Sequence, residues 1–86
     1  FSYLGGELSG PTYYAIWSDA TGRQVQLIRA LASLPADTPT VEDIGGAVVL
    51  NLQEGSAHVQ IQATDLALLR EAVRALRPEA LPALSQ

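Results

Sequence analysis

AVVLNLQEGSAHVQIQA, residues 47–63, reads as one β-hairpin with two unlike faces. Val48, Leu50 and Leu52 alternate with Val49, Asn51 and Gln53. Beyond a turn at Glu54-Gly55-Ser56, Ala57, Val59, Ile61 and Ala63 alternate with His58, Gln60 and Gln62. Successive strand residues point to opposite sides of a sheet, so one face is aliphatic and the other is mostly amide with one imidazole. The aliphatic face requires a covering layer. The other face is polar yet almost uncharged.

On the C-terminal side, Thr64-Asp65 supplies a side-chain oxygen able to accept from the free amides of a first helical turn. The helix so predicted runs to about Arg77, where Pro78 limits it. Leu66, Leu69, Val73 and Leu76 form its apolar stripe, with Ala72 beside them. Residues 78–86, PEALPALSQ, read as a loosely packed tail.

On the N-terminal side, residues 35–46, PADTPTVEDIGG, read as a loop by composition, with Val41 and Ile44 available to pack down. Before it, Val25, Ile28, Leu31 and Ala32 recur at helical spacing, and Ser18-Asp19 offers a cap. A first helix is therefore predicted over about Ala20–Leu34, ended by Pro35. Thr12–Trp17, TYYAIW, is rich in aromatic and β-branched residues and predicts a strand. Residues 1–11, which end in the turn signal Gly10-Pro11, fit either a further hairpin arm or a loop.

The predicted order is strand–helix–strand–strand–helix, with a possible extra N-terminal strand. The economical fold is a single α+β domain over 1–86. It is a two-layer sandwich with an antiparallel or mixed sheet of three to four strands and both helices on one face. Residues 1–11 and 78–86 are its loosely packed ends.

Composition narrows the function classes. No apolar run approaches the ~20 residues that cross a bilayer, so no membrane association is expected. The chain has no cysteine and one histidine, which excludes disulfide and thiolate chemistry and leaves no zinc ligand set. A small cysteine-free domain fits a reducing cytoplasm. All five basic residues are arginine and the net charge is −4, a poor balance for neutralising a phosphate backbone. Nucleic acid is not expected as a partner.

Asn51, Gln53, His58, Gln60 and Gln62 project from two adjacent strands and form the candidate interface. A solvated sheet face is usually guarded by charge, especially lysine, and this one carries none. Amides desolvate at lower cost than charges and can hydrogen-bond to a copy of themselves. Tyr13 and Trp17 share one face of their strand, opposite Tyr14 and Ile16. If they turn outward they join the amide patch as anchors, and otherwise they plug the core.

Other groups read as structural. Arg70, Arg74 and Arg77 fall on one helix flank, a stripe whose guanidinium groups could hold an acidic peptide or phosphate, but which reads as a solvated flank complementing the helix dipole. His58 lacks a sequence-local Cys, His or paired carboxylate for catalysis or metal binding. Asp37, Glu42 and Asp43 lack calcium-loop spacing. Gly5-Gly6 and Gly45-Gly46 match no phosphate-cradling motif. No catalytic, cofactor or metal site is predicted.

Over residues 12–77, the element order and the helix ATDLALLREAVRAL (63–76) resemble the small dimerising subunit of the KEOPS tRNA-modification complex. The resemblance is one of topology and an amphipathic helix, and it transfers no site residue.

The expectation is a non-enzymatic protein-interaction module with no cofactor, self-associating or docking on another protein through the uncharged polar face or a sheet edge. The alternative is a small-molecule-binding regulatory domain with its ligand at a sheet edge or dimer junction.

Overall fold

The hairpin forms as its alternation dictates. Ala47–Glu54 and Ala57–Ala63 pair antiparallel, with Leu50 opposite Ile61 on one face and Asn51 opposite Gln60 on the other. The computed structural model describes residues 1–10, 12–32 and 39–84, with Ser9 by its backbone alone. Its elements are β1 (Ser2–Ser9), β2 (Thr12–Ser18), β3 (Gln24–Leu31), β4 (Thr40–Ile44), β5 (Ala47–Glu54), β6 (Ala57–Ala63), α1 (Leu66–Leu76) and a 3-10 helix (Pro78–Leu84). The six strands form one antiparallel sheet in the order β1-β2-β3-β6-β5-β4.

This overturns the predicted sheet of three to four strands with two helices in β-α-β-β-α order. The segment expected to be the first helix contains β3, so the topological basis of the resemblance noted above is gone. Val25 and Leu27 point to the core while Gln26 and Ile28 point the other way, a period of two. The strand is fixed by partners on both sides: Trp17 lies opposite Val25, and Gln26 lies opposite Gln62. Two ladders outweigh a local helical spacing.

Asp19, expected to cap that helix, closes the β2–β3 hairpin instead. Its Oδ1 accepts from the Thr21 amide (2.9 Å), the Thr21 hydroxyl (2.8 Å) and the Arg23 amide (2.8 Å), while Arg23 Nε donates to Oδ2 at 2.7 Å. Partial burial alone would raise the Asp19 pKa, but these hydrogen bonds outweigh it and hold the group at about 2, below its usual 3.8. A carboxylate depressed in the folded state stabilises above its unfolded pKa and stops doing so as pH falls through the folded value. The stability difference between wild type and Asp19→Asn is therefore expected to shrink as pH falls from about 4 to about 2. Urea midpoints across that range check it, and a pH-independent difference would contradict it.

The expected loop before the hairpin also contains a strand. β4 pairs with β5 across the two-residue connection Gly45-Gly46, whose φ values of 57° and 86° match the twist of a tight hairpin. Residues 35–38 of the predicted loop, Asp37 among them, lie outside the described residues.

The aliphatic face gains its cover from α1 and the 3-10 helix. Val25, Leu27, Leu50, Leu52, Val59, Ile61 and Ala63 meet Leu68, Leu69, Ala72, Val73, Ala80 and Leu84 in one core. Asp65 caps α1 as the sequence predicts, its Oδ1 accepting from the Leu68 amide at 2.8 Å.

The chain beyond Pro78 is packed rather than loose. Ala80 and Leu84 are buried, and Arg70 Nη2 donates to the Leu84 carbonyl at 2.9 Å. At the other end of α1, Arg77 Nε meets Glu54 Oε2 at 2.7 Å and ties the helix to the β5–β6 turn. Both groups are about a third exposed, so the pair is worth roughly 0.5 kcal/mol. Among the described residues no helix is long and apolar enough to cross a membrane.

Candidate functional site

The face of the sheet opposite α1 carries the predicted amide patch. Its central row runs across all six strands as Glu7, Tyr14, Ile28, Gln60, Asn51 and Thr40. The flanking row holds Ile16, Gln26, Gln62, Val49 and Glu42. β3 and β4 contribute to both rows, and the sequence reading had neither strand in the sheet.

The amides spend their hydrogen bonds on one another. Gln62 Nε2 donates to Gln60 Oε1 at 2.7 Å, and Gln60 Nε2 donates to Asn51 Oδ1 at 3.2 Å. His58 Nε2 lies 3.0 Å from the same oxygen. An amide oxygen only accepts, so His58 is held with its proton on Nε2. Asn51 Nδ2 completes the chain at Thr40 Oγ1, 3.4 Å away.

Asn51, 7% exposed, is the one buried polar side chain of the described core, and it is the hub of this network. Asn51→Leu deprives His58 and Gln60 of their shared acceptor. It is expected to cost about 1–2 kcal/mol. It should also release the His58 tautomer preference, measured by imidazole nitrogen chemical shifts. An unchanged urea midpoint and unchanged shifts would remove Asn51 from that role.

The other predicted residues lie elsewhere. Gln53 shares the open face but turns back to its own turn, Nε2 donating to the carbonyls of Gly55 (2.9 Å), Ala57 (3.0 Å) and Ala32 (3.1 Å). Tyr13 and Trp17 point to the α1 side, where both pack against the edge of the core. The seven predicted interface residues thus divide five to the open face and two to the opposite face.

Tyr3 stacks edge-on against Trp17, with centroids 5.7 Å apart and planes at 63°. Burial, then the neighbouring Tyr13 hydroxyl, raises the Tyr3 pKa. On the open face, Tyr14 donates to Glu7 Oε2 at 3.2 Å, and that bond raises the Tyr14 pKa, followed by the carboxylate charge and desolvation.

The predicted arginine flank does not stay one free stripe. Arg70 and Arg77 are engaged as described above, while Arg74 lies exposed in the last turn of α1. Glu42 and Asp43 lie on β4. Among the described residues no three His, Cys, Asp or Glu side chains cluster to hold a metal ion.

Three surface features lie beyond the reach of sequence reasoning, one of them a groove of about 600 Å³ lined by Thr40, Val41, Leu66 and Leu84 among others. A second groove, of about 220 Å³, opens at one end of the open face, lined by Ile16, Gln24, Gln26, Ala47, Gln62 and Thr64 among others. Among the described residues, no charged side chain lines it. The third feature is the β1–β2 arm. α1 lies over β6, β5 and β3, and beyond it Tyr3, Leu4 and Leu8 are 57%, 54% and 72% exposed. Comparison of the chain with protein-family models, with curated proteins and with solved structures gives no match.

Proposed function

We propose that this chain is a non-enzymatic protein-interaction module whose contact surface is the β1–β2 arm rather than the amide face. The carrying observation is the apolar exposure of that arm beyond the reach of α1. Three exposed apolar side chains share β1, with Phe1 beside them, whereas Leu31, Val41, Ile44 and Leu66 are spread over three other elements, and a contiguous exposed apolar patch marks a protein contact site. Tyr3, Tyr13 and Trp17 supply the aromatic anchors that interfaces favour. The amide face supports the reading less well, because Asn51, His58, Gln60 and Gln62 already satisfy one another. The absence of cysteine fits a partner met in a reducing compartment such as the cytoplasm.

Sedimentation velocity over a wide concentration range tests the reading. Self-association, weakened by Leu8→Ser, is the expected outcome. A monomer at every concentration that also fails to bind any partner through this arm in cross-linking would defeat it.

A second reading rests on the groove beside Gln26 and Gln62. Its uncharged amide and aliphatic lining suits a small neutral ligand with hydrogen-bonding edges. A thermal-shift screen of neutral amides and nucleobases tests this, since a ligand of the native state raises the melting temperature by mass action.

A further inference from the structure

The geometry points to a second copy of this chain as the occupant of the β1 edge, paired antiparallel to β1 about a two-fold axis close to Gly6. This inference rests on the interaction-module reading and specifies its partner. An edge strand presents a row of backbone donors and acceptors that another strand can complete.

The two edges of this sheet both expose apolar side chains, Val41 and Ile44 on β4 and Tyr3, Leu4 and Leu8 on β1, but they differ in length and charge. β4 is five residues long and carries Glu42 toward the open face and Asp43 toward the α1 face, so a carboxylate guards each side. β1 is eight residues long with one charge, Glu7, which Tyr14 engages on the open face. Neither lysine nor proline lies within it.

The sequence of β1, SYLGGELS, is complementary to itself when reversed. Tyr3 and Leu4 lie at one end, Leu8 at the other, and two glycines between. A two-fold axis perpendicular to the sheet relates two β1 strands antiparallel and keeps both α1 helices on one side. With the axis at Gly6, Leu8 of each copy meets the Tyr3-Leu4 end of the other. Each Glu7 then faces Gly5 of the second copy. An axis at Glu7 would set two carboxylates directly opposite, which is destabilising, and an axis at Leu8 would leave most of the strand unpaired. The register shift between Tyr3 and Gly5 in the β1–β2 ladder falls at the ends of this pairing and leaves its centre, Gly5–Glu7, regular.

The test uses the full 86-residue chain. Sedimentation equilibrium from micromolar to submillimolar protein is expected to give a monomer–dimer equilibrium. Leu8→Lys and Leu4→Lys, both at exposed positions, are expected to weaken it by at least about tenfold. Val41→Lys at the other edge and Gln60→Lys on the open face should leave it unchanged. Hydrogen exchange should slow in β1 amides, and not in β4 amides, as concentration rises. A dimer that survives both β1 variants but dissociates with Gln60→Lys overturns the edge geometry while leaving self-association standing. A monomer throughout overturns both.

Discussion

Replacing Ile61 by alanine is expected to destabilise the domain by about 3–4 kcal/mol, within the usual range for emptying a buried aliphatic site. Ile61 is fully buried. It lies between Leu27 on β3 and Leu50 on β5, in the row of the sheet that α1 covers. The row continues to Ala15 and Gly6 on one side and Val41 on the other, so every strand contributes to it. A chain this short has a total stability of roughly 4–13 kcal/mol, and the substitution would remove a large part of it. The expected drop in melting temperature is roughly 12–30 °C. A loss below about 1 kcal/mol in urea unfolding would mean that the core collapses around the gap far better than such sites do.

Gly6→Ala is the second large effect, and its character differs. Gly6 has ordinary backbone torsion, so the constraint is space. An added Cβ would lie 2.5 Å from the Tyr14 carbonyl oxygen and 2.7 Å from the Tyr3 hydroxyl. The hydroxyl can swing away, but the carbonyl belongs to the β2 backbone. Relief requires β1 to move off β2. The expected cost is about 1–3 kcal/mol, in the range for overpacking. It cannot exceed what docking β1 is worth, because the strand can detach while the rest stays folded. Amide exchange should quicken across β1 and stay slow in β3, β5 and β6. Fluorescence of Trp17, the sole tryptophan, should shift as its edge contact with Tyr3 is lost. Uniform loss of protection across the sheet would show instead that β1 is not separable.

What the sequence disclosed follows from how local the determining physics is. The β5–β6 hairpin was legible because strict alternation over two strands admits one reading. α1 was legible because Asp65, the apolar stripe and Pro78 agree. Residues 24–31 were not, because QVQLIRAL carries Val25, Ile28 and Leu31 at helical spacing and Val25 and Leu27 at strand spacing. The choice between them is made by β2 and β6, remote in sequence. Asp19 compounded the error, since a carboxylate accepting from amides two to four residues ahead serves a turn as well as a helix start. For β4, the acids in TVEDI suggested a loop. The Gly45-Gly46 pair between two short runs was the hairpin signal. The site shared this fate: residues of the legible hairpin were placed on the correct face, while Tyr14, Ile28, Thr40 and Gln26 could not be added until their strands were known.

The strand order also has a kinetic consequence. β1-β2-β3 and β4-β5-β6 are each meanders of neighbouring hairpins, and one ladder, β3 with β6, stitches them together. Hairpins close in microseconds, whereas a ladder between distant segments must first meet the entropy of closing a long loop. The seam closes its shortest loop at Leu31–Ala57 and its longest at Gln26–Gln62, so it zips from the former to the latter. Two preformed halves searching for this one register describe the slow step of folding. Ile61→Ala, on the seam, should therefore slow refolding, while Gly6→Ala, at the rim, should chiefly speed unfolding.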